Sequence, residues 1–204
     1  DEAVEQGGHD PLLDPAIEAQ AAALLARLKK ASWKVLSVQQ KETTSRPAPP
    51  FITSSLQQEG NRKLSLSARE TMRIAQRLYE EGLITYMRTD SPTLSGEAIS
   101  GARKTIEELY GKDFLSETPR QYSSKSRGAQ EAHEAIRPAG VNFVHPDSTS
   151  LTGKDKALYQ MIWNRTVASQ LAEAKKLSVS VRIGVDDALF SASGNRILFP
   201  GFLR

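Results

Sequence analysis

Strand-forming sequence lies at both ends of this 204-residue chain, with a helical stretch between, and that arrangement constrains the fold most. Residues 32–40 (SWKVLSVQQ) have the β-branched and aromatic content of a strand. Residues 177–183, 189–191 and 197–199 read the same way, with turns expected at Asp186-Asp187 and Gly194-Asn195. A lone strand cannot satisfy its backbone groups, so the two ends are expected to come together in one β-rich unit. Arg46-Pro47-Ala48-Pro49-Pro50 breaks any regular element and marks the first crossing out of that unit. The expected fold class is α+β: a helical domain over residues 47–173 inserted into a partial, discontinuous β-rich domain of residues 1–46 and 174–204.

The helical signals are local. Residues 15–30 are rich in Ala and Leu, with basic residues in the last turn where the helix dipole favours them. A short helix is expected over residues 51–59, stopped at Gly60. Ser67-Ala68-Arg69-Glu70 has capping-box form. The helix it starts is expected to bury Ala68, Met72, Ala75 and Tyr79, with Leu78 flanking, and to set Arg69, Arg73 and Arg77 on another face. Gly82 supplies a left-handed end. Ser95 is expected to cap a helix running to Tyr110 and closed by Gly111. Residues 112–128 are polar and read as a loop, and residues 129–137 as a short helix that stops before Pro138. Thr152, with Asp155 after it, opens a long helix whose apolar positions include Leu158, Met161, Ile162 and Leu171.

Composition excludes several classes. The chain has no Cys, which removes disulfides, zinc fingers and thiolate metal sites. No apolar run approaches the length of a membrane span, and no signal-peptide pattern opens the chain. Net charge is only +3, but it is unevenly spread. Residues 1–15 are acidic and rich in Gly and Pro, and are expected to form a mobile lead-in. Residues 27–77 hold eleven Lys and Arg against three Glu, a footprint suited to a polyphosphate or simply a solvated helix face. A start at Asp1 without Met and an end on Phe202-Leu203-Arg204 suggest a piece of a longer protein.

The chemistry-bearing stretch is Ile84-Thr85-Tyr86-Met87-Arg88-Thr89-Asp90-Ser91. In an extended segment Tyr86, Arg88 and Asp90 share one side and Thr85, Met87 and Thr89 the other. A phenol, a guanidinium and a carboxylate so aligned form a small polar site; the ordinary alternative is a half-buried strand tyrosine beside a surface ion pair. This octapeptide, with Ala132-His133-Glu134-Ala135-Ile136-Arg137-Pro138, residues 43–54 (TTSRPAPPFITS) and residues 75–82 (AQRLYEEG), resembles the signature of type IA DNA topoisomerases, nearest the bacterial topoisomerase I branch. The resemblance runs in order from about Trp33 to about Glu173.

That resemblance implies a winged-helix-like tyrosine domain mounted on a β-rich, barrel-like arch, in a cytoplasmic enzyme of the bacterial nucleoid. It implies Tyr86 as the nucleophile that cleaves one DNA strand, Arg88 as the phosphate clamp, and His133 as a further member of the cleavage site. Arg88, Arg137 and Thr89 would meet DNA, and Thr85 and Asp90 would support the two central residues. Two readings of Arg137 stay open, a contact to the DNA backbone or a pair with Glu134. The implied partners are a single-stranded segment of underwound duplex and the remaining domains of the same enzyme. The family's Mg2+ site lies in a D-x-D-containing domain; no D-x-D occurs here, so the ion is expected to bind outside this chain. No ATP-binding G-x-x-x-x-G-K-[ST] loop occurs either, which fits strand resealing without ATP. Tyrosine recombinases place their Tyr after an Arg and an H-x-x-R pair, whereas here Tyr86 comes first. A DNA-binding module without chemistry, with Arg69, Arg73 and Arg77 tracking phosphates, is the remaining alternative.

Overall fold

The computed structural model describes residues 15–123 and 134–204. The acidic lead-in, His9, loop residues 124–128, the start of the helix expected from Ala129, and His133 lie outside the described residues. Contacts divide the chain into two compact units, one formed by residues up to Thr43 with Leu177–Arg196, the other by Thr44–Lys176 with Ile197–Arg204.

The first unit contains helix α1 (Pro15–Lys30) and most of a three-stranded antiparallel sheet in the order β1-β2-β3. The strands are β1 (Trp33–Ser45), β2 (Ala174–Val185) and β3 (Ala188–Phe199). Asp186 takes φ 48°, the left-handed conformation that a two-residue hairpin turn needs and that Asp tolerates. The turn expected at Gly194-Asn195 is absent, and β3 runs straight through it. Pairing along a partner strand of equal length outweighs the local weakness of one glycine. The Trp33 ring lies 5.1 Å from that of Phe190, and its Nε1 donates to the Leu28 carbonyl at 3.0 Å, tying the end of α1 to the sheet.

The second unit is built from α2 (Thr53–Leu64), α3 (Ala68–Glu80), α4 (Gly96–Tyr110) and α5 (Gly153–Ser169). Helix α5 packs against the other three and buries Leu158, Tyr159, Ile162, Trp163 and Val167. Ser95 caps α4 by accepting from Ala98 N–H, and Gly111 ends it at φ 88°. Ser67 caps α3 by accepting from Glu70 N–H, and the Glu70 carboxylate meets both the Ser67 backbone N–H and Lys154. Thr152 makes no side-chain cap, and Asp155 turns instead to Arg77.

Four expectations change here. Helix α2 continues past Gly60 to Leu64, because at Gly60 a Cβ would sit 2.8 Å from Thr71 Oγ1, so glycine there permits α2 and α3 to approach. Helix α3 fully buries Thr71, Ile74, Ala75 and Leu78, whereas Met72 is partly buried against the core and Ala68 and Tyr79 are exposed. Thr71 can be buried because its hydroxyl donates to the Ser67 carbonyl at 3.0 Å. That rotation leaves Tyr79 exposed. Residues 134–138 are not helical: Ile136 bridges Phe51 and Pro138 bridges Ile84, both antiparallel. The long final helix stops at Ser169, and Leu171 instead forms a bridge with Leu115.

Gly101 on α4 faces the Val141 backbone, where an added Cβ would collide with the carbonyl oxygen. Gly101→Ala should therefore lower the stability of this unit by about 1–3 kcal/mol, read as a reduced urea midpoint with an unchanged slope.

Candidate active site

Residues 84–91 are neither helix nor strand apart from the single bridge at Ile84. Alternation nonetheless survives. Met87, Thr89 and Ser91 are buried while Tyr86, Arg88 and Asp90 are exposed, with Tyr86 at 47%. The period comes from extended backbone, not from sheet pairing, so the segment needs other partners for its polar groups.

Two threonines provide them. Thr85 N–H donates to the Arg137 carbonyl at 2.9 Å, its hydroxyl donates to the Ala135 carbonyl at 2.7 Å, and that hydroxyl accepts from Arg137 N–H at 3.0 Å. Thr53, the first residue of α2, holds the other side. Its hydroxyl lies 2.8 Å from the Met87 carbonyl and 3.0 Å from the Thr89 carbonyl, and accepts from Thr89 N–H at 2.9 Å. Met87 fills the core beneath at 1% exposure.

On the solvent side Tyr79 meets Tyr86 edge to face, with ring centroids 5.3 Å apart at 67°. No described residue hydrogen-bonds the Tyr86 hydroxyl or pairs with the Arg88 guanidinium. Arg88 and Asp90 share the wall of a shallow depression of about 420 Å³ with Thr53, Ser54 and Gln57 from the start of α2. Tyr86 stands outside that wall.

Of the two further residues expected to meet DNA, Arg137 turns inward, while Thr89, though largely buried, lines the same depression as Arg88. Arg137 is 8% exposed and forms a two-pronged pair with Glu134, from Nε to Oε1 at 2.8 Å and from Nη2 to Oε2 at 2.9 Å. Its Nη1 donates to the carbonyls of Pro138 (2.7 Å) and Gly140 (2.9 Å), so the guanidinium is spent holding the loop. Of the two open readings, the geometry supports the pair with Glu134. Thr89 is 8% exposed and its hydroxyl accepts from Ser91 N–H. Of the three arginines on α3, Arg77 is held by Asp155 through two short bonds, while Arg69 and Arg73 stay exposed. Thr53 and Tyr79 are residues of the candidate site that sequence reasoning passes over. Both lie inside the quoted motifs, but Tyr79 reads as core. Glu134 enters there only as a possible partner of Arg137.

Among the described residues no three His, Asp or Glu side chains gather closely enough to hold a metal ion. Among the same residues no helix is long and apolar enough to cross a membrane.

Residues 15–204 match the family model described as DNA topoisomerase. The chain belongs to the DNA topoisomerase family. It is 60% identical over 185 residues to DNA topoisomerase 1 of Synechococcus elongatus, covering 91% of this chain and 21% of the relative. It is 53% identical over 190 residues to DNA topoisomerase 1 of Mycobacterium leprae, covering 90% of this chain and 20% of that one. Among solved structures, full-length topoisomerase I from Thermotoga maritima matches at a TM-score of 0.75 and 32% identity, over 89% of this chain and 31% of that one. This topoisomerase segment thus spans about a fifth of the length of its curated relatives.

Within the segment, Glu134 joins two elements. Its Oε1 accepts from Ser95 N–H at the start of α4 as well as from Arg137. Burial pushes the Glu134 carboxyl upward, but the bonds from Arg137 and Ser95 outweigh it and hold the pKa below the ordinary 4.5. A depressed folded-state pKa contributes stability that is present above the unfolded value and is lost as pH falls through the folded one. Glu134→Gln should therefore destabilise the protein at neutral pH and flatten its acid-side loss of stability, measured by urea unfolding between about pH 3 and pH 7.

Proposed function

We propose that the intact protein carrying this chain is a type IA DNA topoisomerase in which Tyr86 is the nucleophile and Arg88 the phosphate clamp. The observation that supports this most is the presentation of Tyr86 and Arg88 to solvent from a segment anchored by Thr85 and Thr53, in a member of that family.

A tyrosine hydroxyl is a weak nucleophile at neutral pH, with an ordinary pKa of about 10, so its developing negative charge and that of the phosphorus centre must be stabilised. Arg88 is always protonated, and its planar fork suits two phosphate oxygens. The Tyr86 oxygen attacks the phosphorus as it gives up its proton, the bond from phosphorus to the 3′ oxygen breaks, and that oxygen leaves as a protonated 3′ hydroxyl. The 5′ phosphate stays on Tyr86 as an ester. The ester retains the bond energy, so the reverse attack by the 3′ hydroxyl reseals the strand without ATP, and passage of a strand between the two steps relaxes negative supercoils. Tyr79 supports the reading by limiting how the Tyr86 ring can swing. Asp90 shares the depression with Arg88 and suits a supporting role, and Thr85 positions the segment. His133, outside the described residues, is assigned to the cleavage site by the family resemblance alone.

On this reading residues 47–173 form the winged-helix-like tyrosine domain, and residues 1–46 and 174–204 part of the barrel-like arch. Mg2+ and the residues that bind it belong to the rest of the intact protein, which acts in the bacterial cytoplasm on underwound DNA. In the competing DNA-binding module without chemistry, Arg69 and Arg73 would track phosphates, whereas Arg77 is paired with Asp155.

In the intact protein, Tyr86→Phe should abolish the covalent adduct with single-stranded oligonucleotide on denaturing gels, and Arg88→Ala should slow its formation about a hundredfold or more. An adduct that persists in Tyr86→Phe would show that the nucleophile lies elsewhere. The isolated chain, lacking the rest of the site, should form no robust adduct.

A further inference from the structure

We infer that Thr53 is a positioning residue for strand cleavage, acting through Arg88; the inference rests on the roles given above to Tyr86 and Arg88. An arginine that must grip an outside phosphate cannot also be fixed by a strong internal partner. Arg88 meets that condition, since it is exposed and pairs with no described residue. Only its backbone can then be held, and Thr53 holds it from both sides.

The Thr53 hydroxyl carries one proton shared between the Met87 carbonyl at 2.8 Å and the Thr89 carbonyl at 3.0 Å. The same oxygen accepts from Thr89 N–H at 2.9 Å, and Thr53 N–H donates to the Thr89 carbonyl at 2.9 Å. The peptide groups before and after Arg88 are therefore bonded to a single residue. Met87 and Thr89, at 1% and 8% exposure, leave little room for water to replace the hydroxyl. Nor is Thr53 explained by starting α2. Its hydroxyl bonds leave the helix altogether, and the preceding Ile52 N–H is taken by Ser55 Oγ at 3.0 Å. Thr53 and Arg88 also line the same depression, so the clamp sits beside the place where Arg88 would receive a phosphate.

The test uses the intact topoisomerase carrying this chain and measures single-turnover cleavage of a single-stranded oligonucleotide alongside its noncovalent affinity. Thr53→Val keeps the shape but removes the hydroxyl, and should slow cleavage roughly tenfold to a hundredfold with little change in affinity, as expected for a small misplacement of a clamping group. Thr53→Ser keeps the hydroxyl and should stay near the unmodified rate. In an Arg88→Ala background Thr53→Val should cost nothing further, because the two changes remove the same interaction. An unchanged rate in Thr53→Val, an equal loss in Thr53→Ser, or a full additional loss in the Arg88→Ala background each overturns the proposal. Should Thr53→Val fail to fold, as judged by its unfolding transition, Thr53→Ala carries the same comparisons. Failure of the underlying reading shows separately, as an adduct that survives Tyr86→Phe.

Discussion

Backbone hydrogen bonding of an irregular segment is the constraint on which the site depends. Residues 84–91 have no helix and only one bridge to satisfy their amides and carbonyls. A buried peptide group without a partner costs as much as a lost hydrogen bond, so such a segment is stable only where the surrounding fold supplies partners. Thr85 draws them from residues 135–137 and Thr53 from the start of α2. The buried alternates Met87, Thr89 and Ser91 can then face the core, which is what leaves Tyr86, Arg88 and Asp90 outside. An ordinary strand would have satisfied the backbone more simply, but would have placed neighbouring strands beside the exposed Tyr86 and Arg88.

The same segment explains why residues 134–138 are extended. Ile136 and Pro138 bridge Phe51 and Ile84, joining the two ends of the anchored region, and the Glu134–Arg137 pair closes the loop that follows. Arg137 lies in one of the motifs that carry the family resemblance, yet it serves this closure with its whole guanidinium. Charge is used similarly elsewhere. Much of the basic excess in residues 27–77 is committed inside the units, Arg27 to Asp187, Arg46 to Glu173, Arg62 to Glu59 and Arg77 to Asp155.

Helix α1, the capped start of α3 and both ends of α4 were legible because their signals are local: Ala-rich sequence, a Ser accepting an orphan amide, and a glycine at positive φ. The exposed trio was legible for a related reason, since alternation needs only extended backbone. Contacts made by distant residues were not. Gly60 read as a stop, but it is the point of closest approach to Thr71. Gly194 read as a turn, but a partner strand carries it through. Tyr79 read as core, but Thr71 could take the buried face once its hydroxyl was satisfied within the helix.

By itself the sequence determined the family, the α+β class, the nucleophile candidate and its neighbouring arginine, since these follow from residue identity and short-range spacing. Tertiary structure alone decided which side chains stay free to act. Arg137 is taken up by interior bonds and Arg77 by Asp155, while Tyr86 and Arg88 are exposed and their side chains pair with no described residue. That division depends on which partners folding brings within hydrogen-bond reach, and pairs such as Thr53 with Thr89 or Arg77 with Asp155 are too far apart along the chain for any local pattern to encode.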